Sequence, residues 1–172
     1  EVWDVNPINL MNYIRRNQIQ TVLDFPFQRS AAEFASGYSD ATTIENLFSY
    51  DDLYTTAKSS ASNMVTFLGN HDMGRAGKII ESKRINPASE LLPRTLLGHS
   101  LMYLTRGIPS VYYGDEVGMW GADDPDCRKP MVWSDLRYAP EKCLPSGDQR
   151  APDPVSVDRE QWRFFRDWIR FR

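Results

Sequence analysis

A group of polar side chains between two glycines has the clearest potential for chemistry in this sequence. The stretch "FLGNHDMGR" (67–75) contains Asn70, His71, Asp72 and Arg75 directly after an apolar run. An imidazole beside a carboxylate suits acid–base catalysis or metal binding. A structural alternative is a turn in which Asp72 is an N-cap. Taken alone, the nonapeptide favours the turn.

Carboxylates also accompany the other β-like runs of the chain. Three runs are rich in Val, Thr and aromatic residues, and each ends close to an acid: "QTVLDF" (20–25) with Asp24, "NMVTFL" (63–68) with Asp72, and "IPSVYY" (108–113) with Asp115 and Glu116. Glu1 could close a further strand whose body lies upstream. Reactive groups of parallel α/β folds collect beyond the carboxyl ends of the strands. These acids therefore predict either a metal site or paired-carboxylate chemistry.

A transition-metal site lacks the imidazoles that it needs. His71 and Asp72 resemble half of such a site, but the only other histidine, His99, lies within a predicted helix. The acidic run "GADDPD" (121–126) offers oxygen ligands for a hard cation, yet it lacks the spacing and the distal Glu of an EF-hand loop. We therefore assign no metal ligand in this chain, and an oxygen-liganded cation near residues 121–126 or His71 stays open as an alternative.

The two cysteines, Cys127 and Cys143, lie in a region rich in Pro, Gly and Asp. One interpretation is a disulfide, which implies an oxidising compartment and hence a secreted or periplasmic protein. The other interpretation is a pair of free thiols. Without nearby histidines, the two cysteines make a poor zinc site.

Glycoside hydrolysis matches these residues better than metal binding does. It needs one carboxyl group to protonate the leaving oxygen and another to attack or to activate water. Sugar binding also uses aromatic platforms, and the chain supplies five candidates: Trp3, Tyr112, Tyr113, Trp120 and Trp133. Aromatic content alone decides little, because most Trp and Tyr residues are core or half-buried. Trp120 and Trp133 suit core packing and a sugar platform equally well.

Segments with helical periodicity separate the strands that must position these acids. They are 7–17, 87–106, in which Pro93 disturbs the first half, and 158–172, which starts at a plausible N-cap, Asp158. The alternation of strands and helices predicts an α/β architecture with parallel strands. We interpret the last segment as a helix that packs a broad apolar stripe on the sheet, rather than as a membrane-surface helix.

The chain is too short for a complete (β/α)8 barrel. It has 172 residues, and about four strand–helix units, whereas such a barrel needs on the order of 250 residues. Residues 114–157 contain six prolines and predict one extended loop without strands. Loops of that length are usually functional or disordered.

Composition excludes several classes of protein. With 41% hydrophobic and 25% charged residues, the chain has enough apolar side chains for a core and is not expected to be disordered. A net charge of −3 gives no electrostatic case for nucleic acid as a partner. No apolar run approaches the roughly 18–20 residues that span a bilayer. The chain opens "EVWDVN" without a Met, so we expect an internal fragment or a processed product.

Four stretches resemble the alpha-amylase family of glycoside hydrolases. "EVWD" at the start is similar to the third conserved motif of that family, and "FLGNHD" followed by Arg75 is similar to the fourth. "GIPSVYYGDEVGM" (107–119) resembles the eighth barrel strand and the loop after it, and "DDPDCRKPMVW" (123–133) resembles the segment that follows. Four such stretches in the order and spacing of the family are highly specific, and they cover most of the chain as far as Trp133.

The resemblance implies the C-terminal half of a (β/α)8 TIM barrel, from the end of strand 5 to helix 8, and a retaining mechanism on α-linked glucans. Glu1 matches the general acid/base of the family. Asp72 matches the acid that stabilises the oxocarbenium-like transition state, and His71 matches the histidine that hydrogen-bonds the sugar. The further substrate-binding candidates lie close to these positions in the sequence: Asn70, Arg75 and Trp3.

The nucleophile of the family has no counterpart in this chain. It is an aspartate two residues after an arginine at the end of the fourth strand, and it is expected upstream of Glu1. The resemblance assigns Asp24 to the sixth strand, where we interpret it as a turn cap rather than a catalytic acid. Arg75 also suits a structural role near the site, and Asp115 and Glu116 suit the organisation of a loop. A calcium ion is common in the family, but its usual ligands lie mostly upstream, so no cofactor is assigned.

Residues 1–172 are thus predicted to be part of a catalytic domain that acts on starch-like glucans or maltooligosaccharides, by hydrolysis or by transglycosylation. The fragment alone is expected to be inactive, because it needs the missing N-terminal half barrel. The alternative is a non-catalytic binding or interaction module with the same fold. Retention of Glu1, His71 and Asp72 together favours the enzyme.

Overall fold

The structure of the chain is a computed structural model that describes residues 1–83, 88–143, 149–153 and 155–172. The chain forms two compact units: residues 1–68 with 80–110, and residues 69–79 with 111–172. It passes from the first unit to the second directly after Leu68 and again after Ser110. Leu68 is the last residue of the predicted strand 63–68, and Ser110 lies inside the predicted strand 108–113.

Three short parallel strand segments lie side by side in the first unit. Strand β1 (Val65–Thr66) pairs in parallel with β2 (Ile108–Pro109), with Val65 opposite Ile108. On the other side of β1, Leu23 forms a parallel β-bridge with Val65. The predicted parallel direction is therefore confirmed. The runs 63–68 and 108–113 each contain a strand of two residues, whereas the run 20–25 contains an isolated bridge at Leu23 and gives way to a helix at Phe25.

The described residues contain six α-helices: α1 (Pro7–Arg15), α2 (Phe25–Ser36), α3 (Thr42–Ser49), α4 (Ala76–Lys83), α5 (Leu91–Leu104) and α6 (Arg159–Phe171). Three of them correspond to predicted helices with shorter bounds, and α2, α3 and α4 were not predicted. The predicted start of the middle helix at residue 87 lies outside the described residues. Pro93 falls in the first turn of α5, where its missing N–H costs no hydrogen bond. Ala88–Glu90 form a 3₁₀ turn before α5, so the first half of the predicted helix is irregular as expected, although Pro93 itself lies within the α-helix.

Asp24 caps the N-terminus of helix α2 and is buried in the first unit. Its carboxylate accepts a hydrogen bond from the backbone N–H of Phe27 at 3.0 Å, and it forms an ion pair with Arg106. Arg106 also binds Asp51 at 2.8 Å. Burial raises the pKa of Asp24, while the Arg106 guanidinium opposes that rise. Asp24 is thus a helix cap held by a buried cation, as the structural interpretation predicted.

An antiparallel hairpin interrupts the predicted loop of residues 114–157 in the second unit. Strand β3 (Glu141–Cys143) pairs with β4 (Gln149–Asp153). The expectation that this stretch holds no strand is therefore wrong. Two single 3₁₀ turns, Asp115–Val117 and Asp126–Arg128, give the stretch further local structure. Residues 144–148 and 154 of the predicted loop lie outside the described part of the chain.

Helix α6 closes the chain and starts as predicted. The Asp158 carboxylate accepts hydrogen bonds from the backbone N–H groups of Glu160 at 2.9 Å and Gln161 at 3.0 Å. Only Gln161 and Phe165 are fully buried, so the buried stripe is narrower than the sequence suggested. In the part of the chain that the structure covers, no helix is both long enough and apolar enough to cross a membrane.

His99 on α5 is expected to make the folded chain sensitive to acid. The side chain is buried, and burial lowers the pKa of His99 from its ordinary value to about 3. Below pH ~6.5, His99 therefore binds a proton in the unfolded chain while it stays neutral in the folded chain. The free energy of unfolding falls as the pH drops from that value towards the pKa of the folded state. Each pH unit in this range contributes about 1.4 kcal/mol. We therefore expect the free energy of unfolding to fall by up to about 2.7 kcal/mol over the first two pH units below ~6.5.

Urea unfolding of the wild type and of His99→Gln across this pH range measures the effect. The glutamine carries no titrating proton, so the free energy of unfolding of the variant should vary less with pH. The same pH slope in both proteins would show that other groups cause the acid sensitivity.

Candidate active site

A tight turn directly after β1 carries the central polar residues of the candidate site. The backbone N–H of Asn70 donates to the Gly74 carbonyl at 3.2 Å, which closes the turn. The Asn70 side-chain oxygen accepts hydrogen bonds from the N–H groups of Asp72 at 2.8 Å and Met73 at 3.1 Å. Asn70, rather than Asp72, therefore caps this turn, and the Asp72 carboxylate takes no part in closing it.

Glycine is required where the turn begins. A Cβ atom on Gly69 would lie only 2.5 Å from the Gly74 carbonyl oxygen, which is closer than real Cβ atoms approach. At the other end of the turn, Gly74 has a φ of +93°, a conformation that L side chains rarely adopt. The two glycines of the sequence motif thus allow the close folding that presents the residues between them.

Asp72 is partly exposed and is held by two neighbouring groups. One carboxylate oxygen lies 2.9 Å from a terminal guanidinium nitrogen of Arg128, and the other lies 3.3 Å from Nε2 of His71. The side chains of His71 and Asp72 are 50% and 37% exposed. A carboxylate that is fixed in direction and still open to solvent can approach a ligand and stabilise a developing positive charge.

The loop around residue 128 is fastened to the turn through the main chain of His71. Nε of Arg128 donates to the His71 carbonyl at 3.2 Å, and the Cys127 thiol donates to the same oxygen at 3.1 Å. Arg128 also forms an ion pair with Asp124 at 2.6 Å. Sequence reasoning missed Arg128. The sequence feature that could have indicated it is the acid four residues earlier, Asp124, with which Arg128 forms an ion pair.

Cys127 is a buried free thiol, which favours the second of the two interpretations for the cysteines. Burial raises the pKa of the thiol, so the sulfur serves as a hydrogen-bond donor rather than as a thiolate. Cys127 thus has a packing role in the second unit. Of Cys143 the structure describes the backbone, at the end of β3.

Arg75 lies in the interior of the second unit and is fully buried. Its guanidinium carbon is 4.8 Å from the centre of the Tyr112 ring and 4.9 Å from that of Tyr113. The guanidinium donates to the Tyr113 carbonyl and forms an ion pair with Asp115 at 3.4 Å. These contacts join the turn to the segment after β2, so the structure favours the structural role for Arg75 over direct contact with a substrate.

Asp115 and Glu116 organise the segment that follows β2. Burial raises the pKa of Asp115 to about 7, and the nearby Arg75 guanidinium opposes that rise. The Asp115 carbonyl accepts a hydrogen bond from the Gln161 side chain. Glu116 accepts a hydrogen bond from the backbone N–H of Gly114 at 2.7 Å. Both acids thus act in the loop, as interpreted from the sequence.

Replacement of Arg75 by lysine tests how far the shape of the guanidinium matters. The ammonium group would keep the charge beside Asp115 but would lose the planar contacts with the two tyrosine rings. We expect Arg75→Lys to lower the free energy of unfolding by about 1–2 kcal/mol. The matched control is Arg29→Lys, because Arg29 is exposed and pairs with Glu33 across one helical turn. The control should cost about 0.5 kcal/mol or less; equal losses in both variants would contradict the role given to the rings.

The acidic run at residues 121–126 uses its carboxylates within the protein. Asp126 accepts a hydrogen bond from the Ala122 N–H at 2.8 Å and pairs with Lys129 at 3.1 Å. Asp124 pairs with Arg128. These contacts stabilise the local turn. Because the carboxylates of Asp124 and Asp126 already bind groups of the protein, the run is a weaker candidate for a hard-cation site.

Glu1 and Trp3 belong to the first unit, in the segment that precedes α1. Asp4 accepts hydrogen bonds from the Asn6 N–H and the Asn9 side chain, both at 2.8 Å, and so fixes this segment to the start of the helix. The Trp3 ring stacks on Phe25 at 5.1 Å between ring centres and remains 55% exposed. Glu1 is exposed. The segment thus presents an acid and an aromatic surface to solvent.

Comparison with known proteins decides the family of this chain. The family model of the alpha-amylase catalytic domain matches residues 1–149. The chain belongs to the alpha-amylase family. An alpha-amylase of Streptomyces lividans is 41% identical over 136 residues, which are 78% of this chain and 15% of that protein. A cyclomaltodextrinase of Thermoanaerobacter pseudethanolicus is 30% identical over 136 residues, which are 78% of this chain and 21% of that protein.

Solved structures of alpha-amylase family members also match the chain. The alpha-amylase of Geobacillus thermoleovorans, crystallised with acarbose, superposes with a TM-score of 0.63 and 26% identity. The match covers 77% of this chain and 28% of that structure. The matched structures are TIM-barrel enzymes, and the parallel strands described here are consistent with part of such a barrel. The chain therefore corresponds to a minor part of the length of its relatives.

Proposed function

We propose that this chain supplies part of the active site of a retaining glycoside hydrolase that cleaves α-glucosidic bonds in starch-like glucans or maltooligosaccharides. The observation that carries the proposal is the Asp72 carboxylate, held between His71 and Arg128 and open to solvent in the turn after β1. The Streptomyces relative, named an alpha-amylase, supports the substrate class. In this proposal the chain runs from the end of strand 5 to helix 8.

In the first chemical step, Glu1 acts as the general acid. Its proton passes to the glycosidic oxygen while the bond between that oxygen and C1 breaks. An upstream carboxylate, the expected nucleophile, forms a new bond to C1 from the opposite face. Positive charge develops on C1 and the ring oxygen, and the negative charge of Asp72 stabilises it.

In the second step, Glu1 acts as the general base. It takes a proton from water, whose oxygen bonds to C1 as the bond to the nucleophile breaks. Two inversions at C1 give net retention. Attack by a sugar hydroxyl in place of water gives transglycosylation by the same route. His71 donates a hydrogen bond to a sugar hydroxyl, and Asn70 keeps the turn in the conformation that presents His71 and Asp72.

Hydrolysis of maltooligosaccharides by the complete protein tests the proposal. The new reducing end, formed at the C1 that is cleaved, should appear first as the α-anomer in a proton NMR time course. Initial release of the β-anomer would exclude retention, and no turnover of any α-glucan would favour a non-catalytic module. We also propose that residues 1–172 alone are inactive, since the nucleophile is expected upstream. Robust turnover by that segment would place the nucleophile within it.

A further inference from the structure

A groove on the second unit is lined by two exposed indole rings. It has a volume of about 400 Å³, and its lining includes Glu116, Met131, Trp133, Ser134, Arg159 and Trp162. Ligand sites in proteins commonly enclose about 300–1,000 Å³. We call this surface the tryptophan groove. It shares no lining residue with the turn at residues 70–72.

Both tryptophans are exposed although indole is among the largest apolar groups. Trp133 is 57% exposed and Trp162 is 44% exposed. Core packing, one of the two interpretations of Trp133 from the sequence, therefore does not describe that residue. Two exposed indoles on one concave surface are typical of a binding site, whereas single exposed apolar residues need no explanation.

Local contacts fix the backbone at Trp133 and cover one side of the Trp162 ring. The Tyr138 hydroxyl accepts a hydrogen bond from the Trp133 backbone N–H at 2.8 Å and donates to the Met131 carbonyl at 3.1 Å. Trp162 lies in the first turn of α6, and the guanidinium of Arg166 lies 5.3 Å from the centre of its ring. A backbone segment and a ring that are positioned before binding lose little conformational freedom when a ligand arrives.

The charges of the tryptophan groove favour a neutral polar ligand. One acid, Glu116, and one base, Arg159, contribute opposite formal charges, and Ser134 adds a neutral hydroxyl. Nucleic acids and anionic lipid surfaces would require an excess of positive charge. A sugar ring presents an apolar C–H face that can stack on indole, and hydroxyl groups at its edge that can bond to carboxylate, guanidinium and hydroxyl groups.

We infer that the tryptophan groove is a second binding site for α-glucan chains, separate in its lining residues from the turn that carries Asp72. The inference rests on the proposed function for the identity of the sugar. The two indoles stack on glucose units of one chain, and the polar side chains of the lining bond to its hydroxyls. The site holds polymer on the protein and takes no part in cleavage of the bond.

Adsorption to insoluble starch by the complete protein tests this inference. Trp133→Ala and Trp162→Ala should each weaken adsorption by at least about tenfold, as expected for aromatic anchors. The matched control is Phe171→Ala, because Phe171 is an exposed aromatic residue of the same helix and does not line the groove. Insoluble cellulose serves as the control polymer. Thermal melting shows that each variant is folded.

Turnover of a soluble chromogenic maltotrioside separates this inference from the proposed function. The kcat/KM of both tryptophan variants should stay within about twofold of the wild type on that short substrate. Starch adsorption unchanged in both variants, in a protein that hydrolyses the maltotrioside, would overturn the inference alone. Adsorption that depends on the tryptophans in a protein without turnover would support the inference and overturn the proposed enzyme. A parallel loss with Phe171→Ala, or adsorption to cellulose, would also overturn the inference.

Discussion

Asp72→Asn is expected to lower kcat on maltooligosaccharides about 10³-fold in the complete protein, because removal of one preorganised stabilising group costs about 10²–10³ in rate and a full charge lies at the upper end. The amide keeps the size of the carboxylate and removes its charge. The charge matters most when C1 becomes positive, so kcat should fall far more than substrate affinity. Steady-state kinetics on maltopentaose, with KM measured separately, checks this expectation.

The matched control for this variant is Asp124→Asn. Asp124 and Asp72 both bind the Arg128 guanidinium, at 2.6 Å and 2.9 Å. The control thus disturbs the same cation without touching the turn after β1. Because exposed ion pairs contribute about 1 kcal/mol or less, kcat should stay within about fivefold of the wild type. If Asp72→Asn behaved like this control, Asp72 would have no special role at the transition state.

The second large effect is expected from Glu1→Gln. Loss of the general acid should lower kcat on unactivated α-glucans by about 10²–10⁴. For a substrate whose leaving group needs no proton, the rate of the first step should fall much less. Comparison of maltotriose with a maltosyl fluoride or a dinitrophenyl α-glucoside therefore distinguishes loss of the acid from general damage to the site.

Asp4→Asn is the matched control for Glu1→Gln. Asp4 lies in the same exposed segment and holds Asn6 and Asn9 at the start of α1. Its replacement should reduce stability slightly and should affect both substrate classes equally. Equal losses on activated and unactivated substrates in Glu1→Gln would show that Glu1 is not the acid.

The sequence was informative where side-chain type reports burial directly. The strand segments that pair at Leu23, Val65 and Ile108 were predicted, because Val, Thr and aromatic residues in short runs indicate buried strands. Asp158 was predicted as the cap of α6, because Asp is a preferred residue directly before a helical segment. The hairpin of β3 and β4 was missed, because a proline-rich stretch gives no period-two signal.

Contacts between distant parts of the chain could not be predicted. Arg128 reaches Asp72 across 56 positions of sequence, and a salt bridge of this kind leaves no local pattern. The roles within the turn were also ambiguous, because Asn70 and Asp72 both have side chains that can cap. The structure assigns the cap to Asn70 and leaves the Asp72 carboxylate free to bind His71 and Arg128.

Azide rescue of Glu1→Ala in the complete protein tests the acid/base role of Glu1 most directly. With an α-glucosyl fluoride, the enzyme still forms its covalent intermediate, and azide can then attack C1 through the space that the glutamate side chain occupied. Two inversions should give the α-glucosyl azide, which the coupling constant of the anomeric proton identifies. We expect restored turnover and the α-azide as product. A β-azide, or no rescue while the protein remains folded, would contradict the assignment of Glu1 as the general acid/base.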